Sequence, residues 1–133
     1  MISRNTEHEL IMKVIYQALV YSELNQEFSL ENCMEDMYAL PYEEIPLFSK
    51  TIVIKSLANI NEIKATFQAN MPKWNFDRLN AVERAILIMS FTHKKVEDNT
   101  DKRVIIDVAV RLAKKYCDKD DYKFVNAILD NLL

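Results

Sequence analysis

Apolar residues recur along this chain at intervals of three and four, and that spacing divides it into helices. Ile11, Val14, Ile15, Ala18 and Tyr21 form one 3.6-residue stripe. Thr6-Glu7-His8-Glu9 ahead of it reads as a capping box, with Thr6 accepting from the Glu9 backbone and Glu9 reaching back. The helix should end near Glu23. Ser29 is placed to cap a short second helix through Cys33, Met34, Met37 and Tyr38. Pro41 and Pro46 bracket the next connection, because proline disfavours helix in the residue before it. A longer third helix is expected from about Leu47 to Phe67, buried through Val53, Leu57, Ile60, Lys64 (by its stem) and Phe67, with Ile54, Ala58 and Ile63 widening the stripe. Asn70-Met71-Pro72 stops it.

The second half opens on Trp74, read as an aromatic anchor, followed by Asp77-Arg78 and a stripe at Leu79, Val82, Ile86 and Met89. Asp77 or Asn80 can cap this fourth helix, and Asn80 with Glu83 repeats the capping-box spacing. Asp101 is a candidate cap for a fifth helix over about Lys102 to Tyr116, with Ile105, Ala109, Leu112 and Tyr116 on one face. Cys117 to Asp121 is a turn, where Asp118 tolerates a left-handed conformation better than most residues. Asp121 is expected to cap a last helix that buries Phe124, Val125, Ile128, Leu129 and Leu132. No strand pattern remains, so the expectation is one all-α domain over residues 1–133. Such helices must pack as an array, since packing supplies most of their stability.

Composition narrows the function classes. Glycine is absent among the 133 residues, which argues against glycine-rich phosphate loops and against tight-turned β folds. No apolar run is long enough to span a membrane, and the polar start does not resemble a secretory signal. Cys33 and Cys117 are far apart and lack metal-type spacing, which suits idle thiols in a cytoplasmic protein. The net charge of −3 is unevenly spread. Glu23, Glu27, Glu31, Glu35, Asp36, Glu43 and Glu44 lie between Val14 and Ser49 without a lysine or arginine, whereas bases outnumber acids from Lys50 onward.

Little in the spacing points to catalysis. His8 and His93 read as surface histidines, Asp120-Asp121 as helix-start acids, and no metal-ligand pair occurs. The expectation is a protein that is not an enzyme, with no cofactor and no metal. The bases are more suggestive. Arg4 and Lys13 lie on or just before the first helix, Lys114, Lys115, Lys119 and Lys123 surround the junction of the last two helices, and Tyr16 could stack on an unpaired base.

Three segments carry a resemblance: Trp74…Asp77-Arg78-Leu79…Val82-Glu83-Arg84-Ala85-Ile86-Leu87, Leu112-Ala113-Lys114-Lys115-Tyr116, and Asp120-Asp121-Tyr122-Lys123-Phe124-Val125-Asn126-Ala127-Ile128-Leu129-Asp130. With a weaker match at Arg4, Thr6, Glu9, Tyr16 and Gln17, the chain resembles the NusB family of transcription antitermination factors. The resemblance implies a compact array of about six to seven helices in two packed subdomains. It implies binding of boxA-type ribosomal RNA leader together with the tenth small-subunit ribosomal protein (NusE), within an RNA polymerase antitermination complex. RNA contacts then fall on Arg4, His8, Tyr16, Asp120 and Lys123, with Lys13 added from the basic pattern, and a ribosomal-protein contact falls on Glu83. Asn5 and His8 stand where the family's arginines are expected, thinning the basic cluster. The competing expectation is a helical protein-interaction module, homodimeric or otherwise, that has lost RNA binding.

Overall fold

The computed structural model describes residues 2–133. Seven α-helices account for most of them: α1 (Arg4–Glu23), α2 (Leu30–Tyr38), α3 (Leu47–Ala58), α4 (Ile60–Ala69), α5 (Ala81–Val96), α6 (Lys102–Tyr116) and α7 (Asp121–Leu132). Two 3-10 turns, Tyr42–Glu44 and Phe76–Arg78, lie in the connections, and there is no strand among the described residues. The all-α expectation holds.

Helix α5 is the axis of the array. Every residue from Glu83 to Ser90 is buried, together with Thr92 and His93, so this helix is covered on all sides. It packs against α1, α3, α4, α6 and α7, while α1 also meets α2, α3 and α6. One apolar cluster runs through all of them, from Ile11 and Ile15 through Ile52, Phe67 and Phe76 to Leu87, Leu112 and Leu129. Neither Tyr21 nor Ile54 joins it, and Phe124 and Leu132 are only partly buried at its edge.

Several local expectations are corrected. The chain enters α1 at Ser3, not Thr6: the Thr6 N–H donates to Ser3 Oγ at 3.1 Å. Glu9 is therefore free to face another helix. The long third helix is two helices. At Asn59 (φ −113°, ψ 21°) both the backbone N–H and the side-chain Nδ2 turn back to the Lys55 carbonyl, ending α3. This local bonding competes with continued helix, a habit of asparagine that apolar periodicity does not register. Ala58 is accordingly exposed.

The aromatic anchor of the second half is Phe76, not Trp74. Phe76 is 1% exposed and stacks on Phe67, with ring centroids 5.2 Å apart, whereas Trp74 is 58% exposed and meets only the edge of Phe124. Gln68 fixes this connection, accepting from the Phe76 N–H and donating to the Trp74 carbonyl. Asn80 caps α5 through the Val82 N–H, with no return bond from Glu83. Asp101 caps α6 as expected. Asp121 is instead the first residue of α7 and accepts from the Asp118 N–H, which closes the turn without positive φ at Asp118. The left-handed residues are Asn25 and Ala39, each with φ 54°.

Candidate nucleic-acid interface

The cations of α1, α6 and the start of α7 meet on one side of the array. Arg111, Lys114 and Lys115 share one face of α6 by their three- and four-residue spacing, and all are exposed. Glu9 of α1 accepts from Lys115 Nζ at 2.7 Å and from the Tyr116 hydroxyl through the same Oε1, and Lys13 Nζ lies 4.0 Å from that oxygen. These donors, led by the Lys115 hydrogen bond, hold the Glu9 carboxyl below its usual pKa. Lys13 and Lys115 also both approach the Tyr116 ring, at 5.6 and 5.3 Å. Beyond them Lys114 lies 4.6 Å from the Tyr122 ring, which carries the face onto α7 next to Lys123. Lys123 is exposed and 3.5 Å from the equally exposed Asp120. Tyr16, 36% exposed, is among the accessible aromatics of α1.

At the start of α1 Arg4 is engaged rather than free. Its guanidinium carbon stands 3.6 Å from the Phe48 ring centroid, with Glu7 at 3.4 Å and Glu97 at 3.7 Å. His8 is a correction to the sequence reading. It is 4% exposed, packed against Phe48 and against His93, with no hydrogen-bond partner on either ring nitrogen. Burial, reinforced by His93, Arg4 and Arg111, lowers its pKa to about 4, so at neutral pH it is an uncharged filler beneath the face. His93 is buried as well, bonded to Glu97 at 2.8 Å. Neither histidine is on the surface.

The model of the NusB family matches residues 5–133. The chain belongs to the NusB family. The transcription antitermination protein NusB of Treponema denticola is 42% identical over 86 residues, covering 65% of this chain and 63% of that protein, which is under two thirds of its length. The NusB of Bacillus mycoides is 29% identical over 129 residues, 97% of this chain and 95% of that relative. Among solved structures, T. maritima NusB superposes with a TM-score of 0.82 at 24% identity, covering 98% of this chain and 90% of that one. A chain from a crystal structure of antitermination factors NusB and NusE in complex with dsRNA gives 0.77 at 20% identity, over 97% and 94%. These structures share the fold.

In this NusB-family chain Glu83 sits apart from the basic face. It lies in the first turn of α5, only 5% exposed, with no hydrogen bond, close enough to Asp118 and Asp121 for their charges to act on it. Burial first, and those two acids second, raise its pKa to about 7. Its carboxylate is thus recessed beneath the surface. Cys117 is near the same acids, and burial with their charge pushes its thiol up to about 12. It lies by Glu83 at the start of α5, whereas His93 sits near the other end of that helix. No group of three or more potential metal ligands occurs among the described residues. Arg111 and Glu9 are the members of the basic face that sequence reasoning missed. The Arg111-Lys114-Lys115 spacing carried the first, but nothing along the chain shows that Glu9 crosses to α6.

Proposed function

We propose that this chain is a transcription antitermination factor, a non-enzymatic adaptor that binds boxA-type ribosomal RNA leader together with the tenth small-subunit ribosomal protein, NusE, in an RNA polymerase complex in the cytoplasm. The observation that carries this reading is the continuity of the basic face: Lys13 and Lys115 both approach Tyr116, Lys114 approaches Tyr122 next to Lys123, and Arg111 shares the exposed face of α6 with Lys114 and Lys115. Cations of this density neutralise phosphates, and interleaved tyrosines offer stacking planes for unpaired bases. A protein of the same fold in complex with NusE and dsRNA supports the partners. Lys123, Lys13 and Tyr16 are assigned to RNA, with Arg4 at the edge and Asp120 orienting Lys123. Glu83 is assigned to the ribosomal protein, since a recessed carboxylate without an internal partner suits a cationic or N–H donor from outside.

A second reading has its own observation. Met71, Pro72, Trp74, Phe124, Ala127 and Ile128 line an open apolar groove on the α7 side, and Arg4 is tied up by its own neighbours. A protein-interaction module, homodimeric or otherwise, would use that groove and not the basic face. Capture of the ribosomal protein with and without boxA RNA separates the two. The adaptor retains the ribosomal protein, and RNA improves retention. If neither partner is held at low salt, the adaptor reading fails.

A further inference from the structure

Glu9 is out of place on a surface built to attract phosphate. A carboxylate among exposed cations of a nucleic-acid face weakens the field that draws RNA in. Yet it is not a stray acid. Its Oε1 receives Lys115 at 2.7 Å and the Tyr116 hydroxyl, with Lys13 at 4.0 Å, a set of donors gathered around one oxygen as they would gather around a phosphate oxygen. The two helices that supply them, α1 and α6, are held by the core, so their approach at this point is set by packing and not by the ion pair.

We infer that Glu9 is an internal stand-in for an RNA phosphate, occupying Lys115, Tyr116 and Lys13 in the free protein, and that RNA must displace it to recruit them. The inference rests on the adaptor reading above. Its consequence is selectivity. A single strand that offers only phosphates gains little from these lysines, because each new contact replaces an existing one. A strand that also stacks or pairs elsewhere on the face gains enough to make the exchange. Glu9 is thus a positioning residue whose charge sets a threshold against indiscriminate RNA.

Glu9→Gln keeps an oxygen for the Tyr116 hydroxyl and removes the charge that holds the lysines. The affinity of the full chain for a boxA-type single strand and for oligouridylate is measured between about 50 and 200 mM salt. Release of an exposed ion pair is expected to tighten both by roughly two- to fivefold at the low end, and proportionally more for oligouridylate. The slope of log affinity on log salt steepens by about 0.7 for each lysine freed, a response that mere loosening of the α1–α6 contact does not produce. In a Lys115→Met background the gain from Glu9→Gln shrinks, since one freed cation is missing, and Glu9→Ala reproduces the gain without the amide. If the wild-type chain binds RNA but Glu9→Gln and Glu9→Ala bind equally or more weakly with an unchanged slope, the stand-in is wrong and the adaptor reading survives. If no variant, wild type included, binds either RNA at low salt, both fall together.

Discussion

Replacing Glu83 with glutamine is expected to stabilise the fold, and only at pH values where the native carboxylate is forced to ionise. Glu83 lies in the first turn of α5 with 5% of its surface exposed, makes no hydrogen bond, and feels the charges of Asp118 and Asp121. Its pKa rises from 4.5 to about 7 in the folded chain. Between those values the folded protein holds a proton that the unfolded chain has released. This carboxyl's contribution to stability is therefore greatest below about 4.5 and declines as pH rises to about 7, by on the order of 3 kcal/mol. The positive end of α5 favours the carboxylate and offsets about 0.3–1 kcal/mol of this. Glu83→Gln, equal in shape and uncharged, should then be more stable than the wild type by about 2–3 kcal/mol at pH 8 and by almost nothing at pH 4.5. Urea unfolding of both proteins at the two pH values measures it. Equal midpoints at pH 8, or the same gain at both pH values, would refute the reasoning. The same substitution should weaken capture of the ribosomal protein, separating a functional carboxylate from a structural one.

Other outcomes follow from the packing. His8 has the opposite linkage: its folded pKa of about 4 is below the ordinary 6.5, so its contribution is complete above pH 6.5 and is lost as pH falls towards 4. His8→Leu should gain on the wild type in urea stability as pH falls from 7 to 5; a difference that does not change with pH would place the titration elsewhere. Phe76→Ala should cost about 3–5 kcal/mol, and Trp74→Ala no more than about 1, in paired thermal melts. A reversed order would restore Trp74 as the anchor. Ala39, left-handed at the end of α2, should gain about 1 kcal/mol on replacement by glycine, read as a rise in Tm.

Fold class was legible because helical periodicity is local, and five of the seven helices lie close to where the stripes put them. The misreadings share a cause, which is that local chemistry or tertiary packing overrode a linear pattern. Asn59 breaks a stripe that stays apolar across it, because its side chain bonds its own backbone. Trp74 and Phe76 are two residues apart, and only the 3-10 turn between Asn75 and Leu79 decides which of them points inward. His8 shares the face of Ile11 and Ile15, so the helical period alone could have placed it inside; the polarity of histidine argued the other way. The site was less legible. The cations of α6 are spaced along one face, but the contact of Glu9 with Lys115 joins residues 106 positions apart. Nor does sequence separate a recessed Glu83 from an exposed one, because burial there depends on how α7 returns against α5.

On the proposed function, the face linking α1, α6 and α7 binds RNA cooperatively with the ribosomal protein. Its most direct test is the affinity for boxA-type RNA with and without saturating ribosomal protein, in the wild type and in Lys123→Glu. The expected result is weak, salt-sensitive binding alone, tighter binding with the protein present, an equal and reciprocal gain in protein affinity when RNA is saturating, and a loss in Lys123→Glu under both conditions. RNA affinity that is absent at low salt in both conditions, or present and indifferent both to the ribosomal protein and to Lys123→Glu, would contradict it.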